Sequence, residues 1–240
     1  MCHDDSSRPP APPRSEPIAA KQQIVLTSAD GTEFAAYSAS CAAPRVGVVI
    51  LPDVRGLHPY YGALAERFAE AGLGAVAIDY FGRTAGLPDG GWRDEEFDWQ
   101  AHVKDSSPAG VNADTQAAMD ALRADFGADL PIITVGFCMG GGHAWRQSSS
   151  DLDLAAVVGF YGRPDTVGRA AKHSKKHTIM FIAGADFTPV ADQLALADEM
   201  RKGGAEVETV VYDGAPHSFF DRAFGEWGDA CADVWTRILT

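Results

Sequence analysis

Alternation decides the fold class. Short runs of apolar and β-branched residues recur between stretches of helical spacing, which predicts an α/β fold with a mostly parallel sheet, helices on both faces and a single domain. Three observations carry that reading. The runs at 46–51, 73–78, 132–135, 154–160, 178–183 and 206–212 have the pattern of strands largely buried on both faces. Between them, residues 60–71, 113–126 and 190–202 place apolar side chains at helical spacing. Finally, 240 residues, 46% hydrophobic and 22% charged, suffice for one sizeable core.

Taken in order, residues 1–20 read as a disordered Pro-rich tail, leaving 21–240 as the domain. Residues 22–28 and 32–39 flank Ala29-Asp30-Gly31, a hairpin signal. Val46–Leu51 is the next strand. The helix 60–71 stops at Gly72 and leads into the strand 73–78. Residues 80–110 are rich in Gly, Pro and Asp with aromatic interruptions, which predicts a flap with at most a short helix. After the helix 113–126 and the strand 132–135, a helix begins at Met139. A polar region at 163–176 separates the next two strands, the helix 190–202 closes at Gly203-Gly204, and residues 228–239 form a terminal helix. Right-handed crossovers in such a sheet put a site at the carboxyl ends of its strands.

A formal net charge of −13 argues against nucleic acid or an anionic membrane as partner. No stretch reaches the roughly 18 apolar residues of a membrane span, and no apolar signal core follows the N-terminus. Cys2, Cys41, Cys138 and Cys231 lack CxxC spacing, so reduced thiols and a cytoplasmic location are the expectation, with no metal. His173 and His177 share a helical spacing but sit among Lys172, Lys175 and Lys176, the composition of a solvated surface.

The chemistry points to Gly136-Phe137-Cys138-Met139-Gly140. A strand, a sharp turn and a helix in the frame G-x-S-x-G make a nucleophile elbow, here with cysteine in place of serine. At a helix N-terminus the N–H groups and dipole favour thiolate. A buried structural cysteine in a glycine-rich turn is the competing reading, and partners decide between them. His217, in the loop after the last strand, is the candidate base, and Asp186, after the strand 178–183, is the candidate acid. Nucleophile, acid, base is the chain order this scaffold requires. Oxyanion donors are expected from the N–H groups of Val54 and Met139. Asp53 is a candidate acceptor for the resting thiol, with turn capping as its alternative. Arg55, Arg83, Arg93 and Arg222 are candidates for holding an anionic substrate, and Tyr161 for lining the pocket.

These stretches, Gly-Phe-Cys-Met-Gly-Gly at 136–141, Gly-Ala-Asp-Phe-Thr-Pro at 184–189 and Pro-His-Ser-Phe at 216–219, resemble the dienelactone hydrolases, the cysteine branch of the α/β-hydrolase superfamily. The similarity runs from about residue 24 to the C-terminus. It implies an α/β-hydrolase fold and carboxylic ester hydrolysis of the carboxymethylenebutenolidase type. The expected substrate is a small ester or lactone such as an enol-lactone, with no cofactor. It also implies a glutamate where Asp53 stands and an arginine four residues past the base, where this chain has Asp221. A different class of function stays open: a catalytically idle or redox-sensing protein using Cys138 as a reactive thiol.

Overall fold

The computed structural model describes residues 7–222 and 224–240. An antiparallel hairpin, β1 (Ala20–Thr27) and β2 (Glu33–Ser40), turns through Asp30 and Gly31, where φ is +84° and glycine carries no steric penalty. It leads into β3 (Gly47–Leu51), α1 (Pro59–Glu70) and β4 (Gly74–Ile78). Beyond the flap lie α4 (Pro108–Phe126), β5 (Ile132–Phe137), α5 (Met139–Gln147), β6 (Ala156–Phe160), a single turn α6 (Pro164–Val167), β7 (His177–Ala185), α7 (Val190–Gly203), β8 (Val207–Pro216) and α8 (Gly228–Leu239). The eight strands are ordered β1-β2-β4-β3-β5-β6-β7-β8, and every pair from β4 to β8 is parallel. The predicted α/β class therefore holds, with the hairpin as an antiparallel margin.

Period-two alternation sends β5 to both faces. Ile133, Val135 and Phe137 join Tyr61, Leu64 and Phe68 of α1 and Val234 and Trp235 of α8. Ile132 faces the other way, onto Met119 and Leu122 of α4. Next to that second layer, Trp145 of α5 meets Leu196, Ala197 and Met200 of α7. Each large side chain so buried contributes roughly 1.5–3 kcal/mol. Rigidity at the sheet's carboxyl edge follows from these two layers.

Three expectations need correction. The flap contains two short helices, α2 (Gly82–Ala85) and α3 (Trp99–Val103), and a 3₁₀ turn at Asp89–Gly91, more than the single helix allowed for it. Helix α4 starts five residues before 113, because Ser107 Oγ accepts the Gly110 N–H at 3.1 Å and Pro108 suits the first turn. Residues 7–19 are docked where a disordered tail was expected. Pro9, Pro10 and Pro12 are buried, Trp235 Nε1 donates to the Pro10 carbonyl at 3.3 Å, and the Glu16 N–H donates to the Glu70 carbonyl at 2.7 Å. Residues 1–6 of that stretch, including Cys2, lie outside the described residues. Among the described residues no helix is long and apolar enough to cross a membrane.

Candidate active site

Strand β5 ends in the elbow. Cys138 has φ +53° and ψ −112°, a conformation that costs a non-glycine residue about 1–3 kcal/mol. Close packing holds it there. A Cβ on Gly136 would lie 2.0 Å from the Gly140 carbonyl oxygen, and one on Gly141 would lie 2.3 Å from the Phe160 oxygen. A Cβ on Gly140 would meet the carbonyl oxygens of Leu51 and Pro52 at 2.1 and 2.4 Å. The glycines thus let α5 start directly against both β6 and the loop after β3. The Cys138 N–H donates to the Phe160 carbonyl at 3.1 Å, and the thiol is half-buried at the N-terminus of α5.

Strands β7 and β8 deliver the other two groups. Ala185 and Pro216 are register partners, so the residues that follow them, Asp186 and His217, emerge side by side. His217 Nδ1 lies 3.0 and 2.9 Å from the two carboxylate oxygens of Asp186, whose side chain is wholly buried. That contact fixes the tautomer with the proton on Nδ1 and leaves Nε2 as the basic nitrogen. Tyr161, which follows β6, packs on the imidazole at a centroid distance of 4.8 Å and on Phe137 at 6.4 Å, linking the base to the elbow strand. On another side of the ring sits Phe187, at 4.5 Å and 68% exposed.

The loop after β3 supplies the remaining wall. Neither the Val54 N–H nor the Met139 N–H meets an acceptor among the described residues. Asp53, fully buried, accepts the Arg55 N–H at 2.9 Å, and the Arg55 guanidinium approaches its other oxygen at 3.6 Å. Tyr61 accepts the Asp53 N–H at 2.9 Å, and the Tyr80 hydroxyl donates to the Asp53 carbonyl at 2.6 Å. These contacts make Asp53 a group that fixes the loop and pairs with Arg55.

The arginines expected in the pocket are mostly structural. Arg55 is buried and clamped to Glu95 of the flap at 2.7 Å. Arg83 pairs with Asp114 of α4 at 2.8 Å and with Asp30 of the hairpin. Arg93 donates to Asp79 at 3.0 Å and stacks on Phe97 at 4.5 Å. Arg222 is exposed in the turn after His217. Asp221, Glu95 and Phe187 were missed as part of the site. For Asp221 a signal was available, since it replaces the arginine that the resemblance leads one to expect, but only packing reveals that it is buried. A cavity of about 610 Å³ lined by Arg14, Arg45 and Glu70 lies at the amino ends of the strands and contains none of these groups.

Among the described residues no His, Cys, Asp and Glu cluster could hold a metal. His143 is buried on α5, and burial together with Arg146 pushes its imidazole down to about 4.

A strained cysteine elbow at the end of β5, with an Asp-backed histidine at the neighbouring ends of β7 and β8, defines an α/β-hydrolase. The sequence pattern of the dienelactone hydrolase family matches residues 34–240, and the chain belongs to that family of carboxylic ester hydrolases. A protein of Saccharolobus solfataricus, named provisionally as a carboxymethylenebutenolidase, is 24% identical over 90% of this chain and 96% of its own length. The carboxymethylenebutenolidase of Rhodococcus opacus is 30% identical over 68% of this chain and 60% of its own. Among solved structures, a dienelactone hydrolase-like promiscuous phosphotriesterase from metagenomic libraries superposes with TM-score 0.73 at 23% identity, covering 92% of this chain and 97% of that one. The dienelactone hydrolase of Anabaena variabilis gives TM-score 0.69 at 18% identity, with 92% and 95% covered.

Proposed function

We propose that this protein hydrolyses small activated esters or lactones through Cys138, His217 and Asp186, by way of a thioester. The observation that carries the reading is the strained Cys138 conformation held by glycine contacts at the end of β5, together with an imidazole that Asp186 orients at the same edge of the sheet. His217 Nε2 takes the thiol proton as sulfur attacks the carbonyl carbon, and Asp186 stabilises the imidazolium. The oxyanion forms against the N–H groups of Val54 and Met139, each contributing about 3 kcal/mol. Collapse expels an enolate or another good leaving group, which takes the proton from His217. Water activated by the same ring then frees the acid and restores the thiol.

Sulfur chemistry narrows the substrate. Thiolate is itself a good leaving group, so an alkoxide loses the competition at the tetrahedral stage. Enol-lactones, aryl esters and thioesters therefore fit better than alkyl esters or peptides. The free thiols Cys41, Cys138 and Cys231 suit a reducing cytoplasm.

Turnover of p-nitrophenyl acetate by wild type, Cys138→Ala and Cys138→Ser tests the proposal. Wild type is expected to turn over, with both variants slower by at least about a hundredfold. Equal rates for wild type and Cys138→Ala would refute it and leave the thiol to a redox role. Full activity in Cys138→Ser would refute the sulfur-specific step.

A further inference from the structure

The flap fastens the loop after β3 from its far side. That loop begins hard against the elbow: Leu51 is the register partner of Gly136, and a Cβ on Gly140 would lie 2.1 and 2.4 Å from the carbonyl oxygens of Leu51 and Pro52. Where the Val54 N–H sits therefore depends on how the residues after it are held. Three ties hold them, all from residues 93–95 of the flap. The Arg93 N–H donates to the Leu57 carbonyl at 2.9 Å. Arg55, whose side chain is 4% exposed, donates through Nη1 to Glu95 Oε1 at 2.7 Å, and His58 Nε2 lies 3.5 Å from the same oxygen. Because His58 Nδ1 accepts the Tyr60 N–H at 3.2 Å, the imidazole proton belongs on Nε2, toward that carboxylate. Gly56, between the two side chains, has φ +74°, and a Cβ there would lie 2.6 Å from Asp79 Oδ1 and 3.3 Å from Arg93 Cγ. The loop is thus pressed flat between the end of β4 and the flap.

We propose that Glu95 is a positioning residue for the reaction: acting through Arg55 and His58, it holds the loop that carries the Val54 N–H at the distance from the elbow that an oxyanion requires. A charge-assisted bond to a buried guanidinium is strong and directional, and Arg55 is the immediate neighbour of Val54. Glu95 itself touches no reacting atom. Both acylation and deacylation pass through an oxyanion, so a loosened loop slows whichever step limits kcat.

The catalytic consequence rests on the hydrolase reading, but the latch itself does not. Glu95→Ala leaves Arg55 with Asp53 at 3.6 Å as a second acid, so the variant is expected to fold. Its kcat for p-nitrophenyl acetate is expected to fall by about tenfold or more with KM within about threefold, because a displacement of the order of 1 Å costs up to about a hundredfold. Alkylation of Cys138 by iodoacetamide, in which an S–C bond forms, iodide leaves and no oxyanion arises, is expected to keep its rate within about twofold. Hydrogen exchange of the peptide spanning residues 53–58 is expected to quicken by about tenfold. Glu95→Gln, which keeps an oxygen for Arg55, is expected to recover most of kcat, and Glu96→Ala, at the exposed neighbouring position, to match wild type. Wild-type kcat in Glu95→Ala, an equal fall in kcat and alkylation, or a change in KM alone would overturn the proposal. If Glu95→Ala does not fold, Glu95→Gln carries the test, and wild-type exchange and kcat there would overturn it. Exchange in 53–58 that does not quicken in Glu95→Ala refutes the latch whatever the esters do. Quickened exchange in a protein whose wild type turns over no ester removes only the hydrolase reading and leaves the latch.

Discussion

Replacing Gly140 by alanine tests whether the two halves of the site are built against each other. The added Cβ would lie 2.1 Å from the Leu51 carbonyl oxygen and 2.4 Å from that of Pro52. Ordinary contact begins at about 3.4 Å, so α5 and the loop after β3 must separate by roughly 1.3 Å, and both contacts are with backbone that cannot rotate aside. Overpacking of this kind costs about 1–3 kcal/mol, and a displacement of about 1 Å between reacting groups costs on the order of a hundredfold in rate. Gly228→Ala is the control, since nothing lies within 4 Å of its Cβ at the start of α8. There alanine is expected to be neutral or to stabilise by a few tenths of a kcal/mol to about 1 kcal/mol. Urea unfolding and ester turnover of both variants give the two readings. Wild-type stability and activity in Gly140→Ala would mean that the elbow does not abut the Val54 loop, and the shared oxyanion site would fall with it.

Asp186→Asn is expected to preserve folding and lower kcat by about 10³–10⁴, measured on an activated ester, because the amide no longer enforces the productive tautomer. Arg93→Ala leaves the buried Asp79 without its ion pair and is expected to cost about 3–5 kcal/mol in urea unfolding. His143 is held near 4, below its unfolded value of 6.5, so its contribution is fully present above pH 6.5 and is lost as pH falls toward 4. Comparing wild type with His143→Gln by thermal unfolding from pH 8 to pH 4 should therefore reveal a loss of roughly 3 kcal/mol confined to the wild type.

Most of the scaffold was legible because its determinants are local. Strand runs, Gly72 and Gly203-Gly204 stops, and the elbow glycines all announce themselves within a few residues. The pairing of Asp186 with His217 was legible for another reason: each directly follows a strand, and neighbouring parallel strands leave few places for their loops to go. Arg83 and Arg93 were misjudged because the acids that claim them, Asp114 and Asp79, lie 31 and 14 residues away. The docked segment 7–19 was hidden by composition. Proline-rich chain forms no ladder of its own, yet Pro9, Pro10 and Pro12 still bury against the domain. Ser107-Pro108 was a readable helix start that periodicity alone passed over.

Backbone strain is concentrated around the proposed site. Among the described residues, the non-glycine positions with positive φ are Cys138, Tyr161 and Ser218 at +53°, +38° and +66°. The first is the thiol, the second packs on the imidazole, and the third follows His217 directly. Ser218 also buries a hydroxyl with no hydrogen-bond partner among the described residues, while its carbonyl accepts the Arg222 N–H at 2.8 Å. Glycine at 218 would relieve about 1–2 kcal/mol of left-handed strain and roughly 1–3 kcal/mol of unsatisfied hydroxyl, against about 1 kcal/mol of added unfolded-state freedom. Ser218→Gly is thus expected to be more stable by at least about 1 kcal/mol and, with the turn after the base freed, slower in kcat by several-fold. A destabilised variant would mean that the Ser218 conformation is not strained, and greater stability with unchanged kcat would mean that the strain does nothing to hold His217 against Asp186.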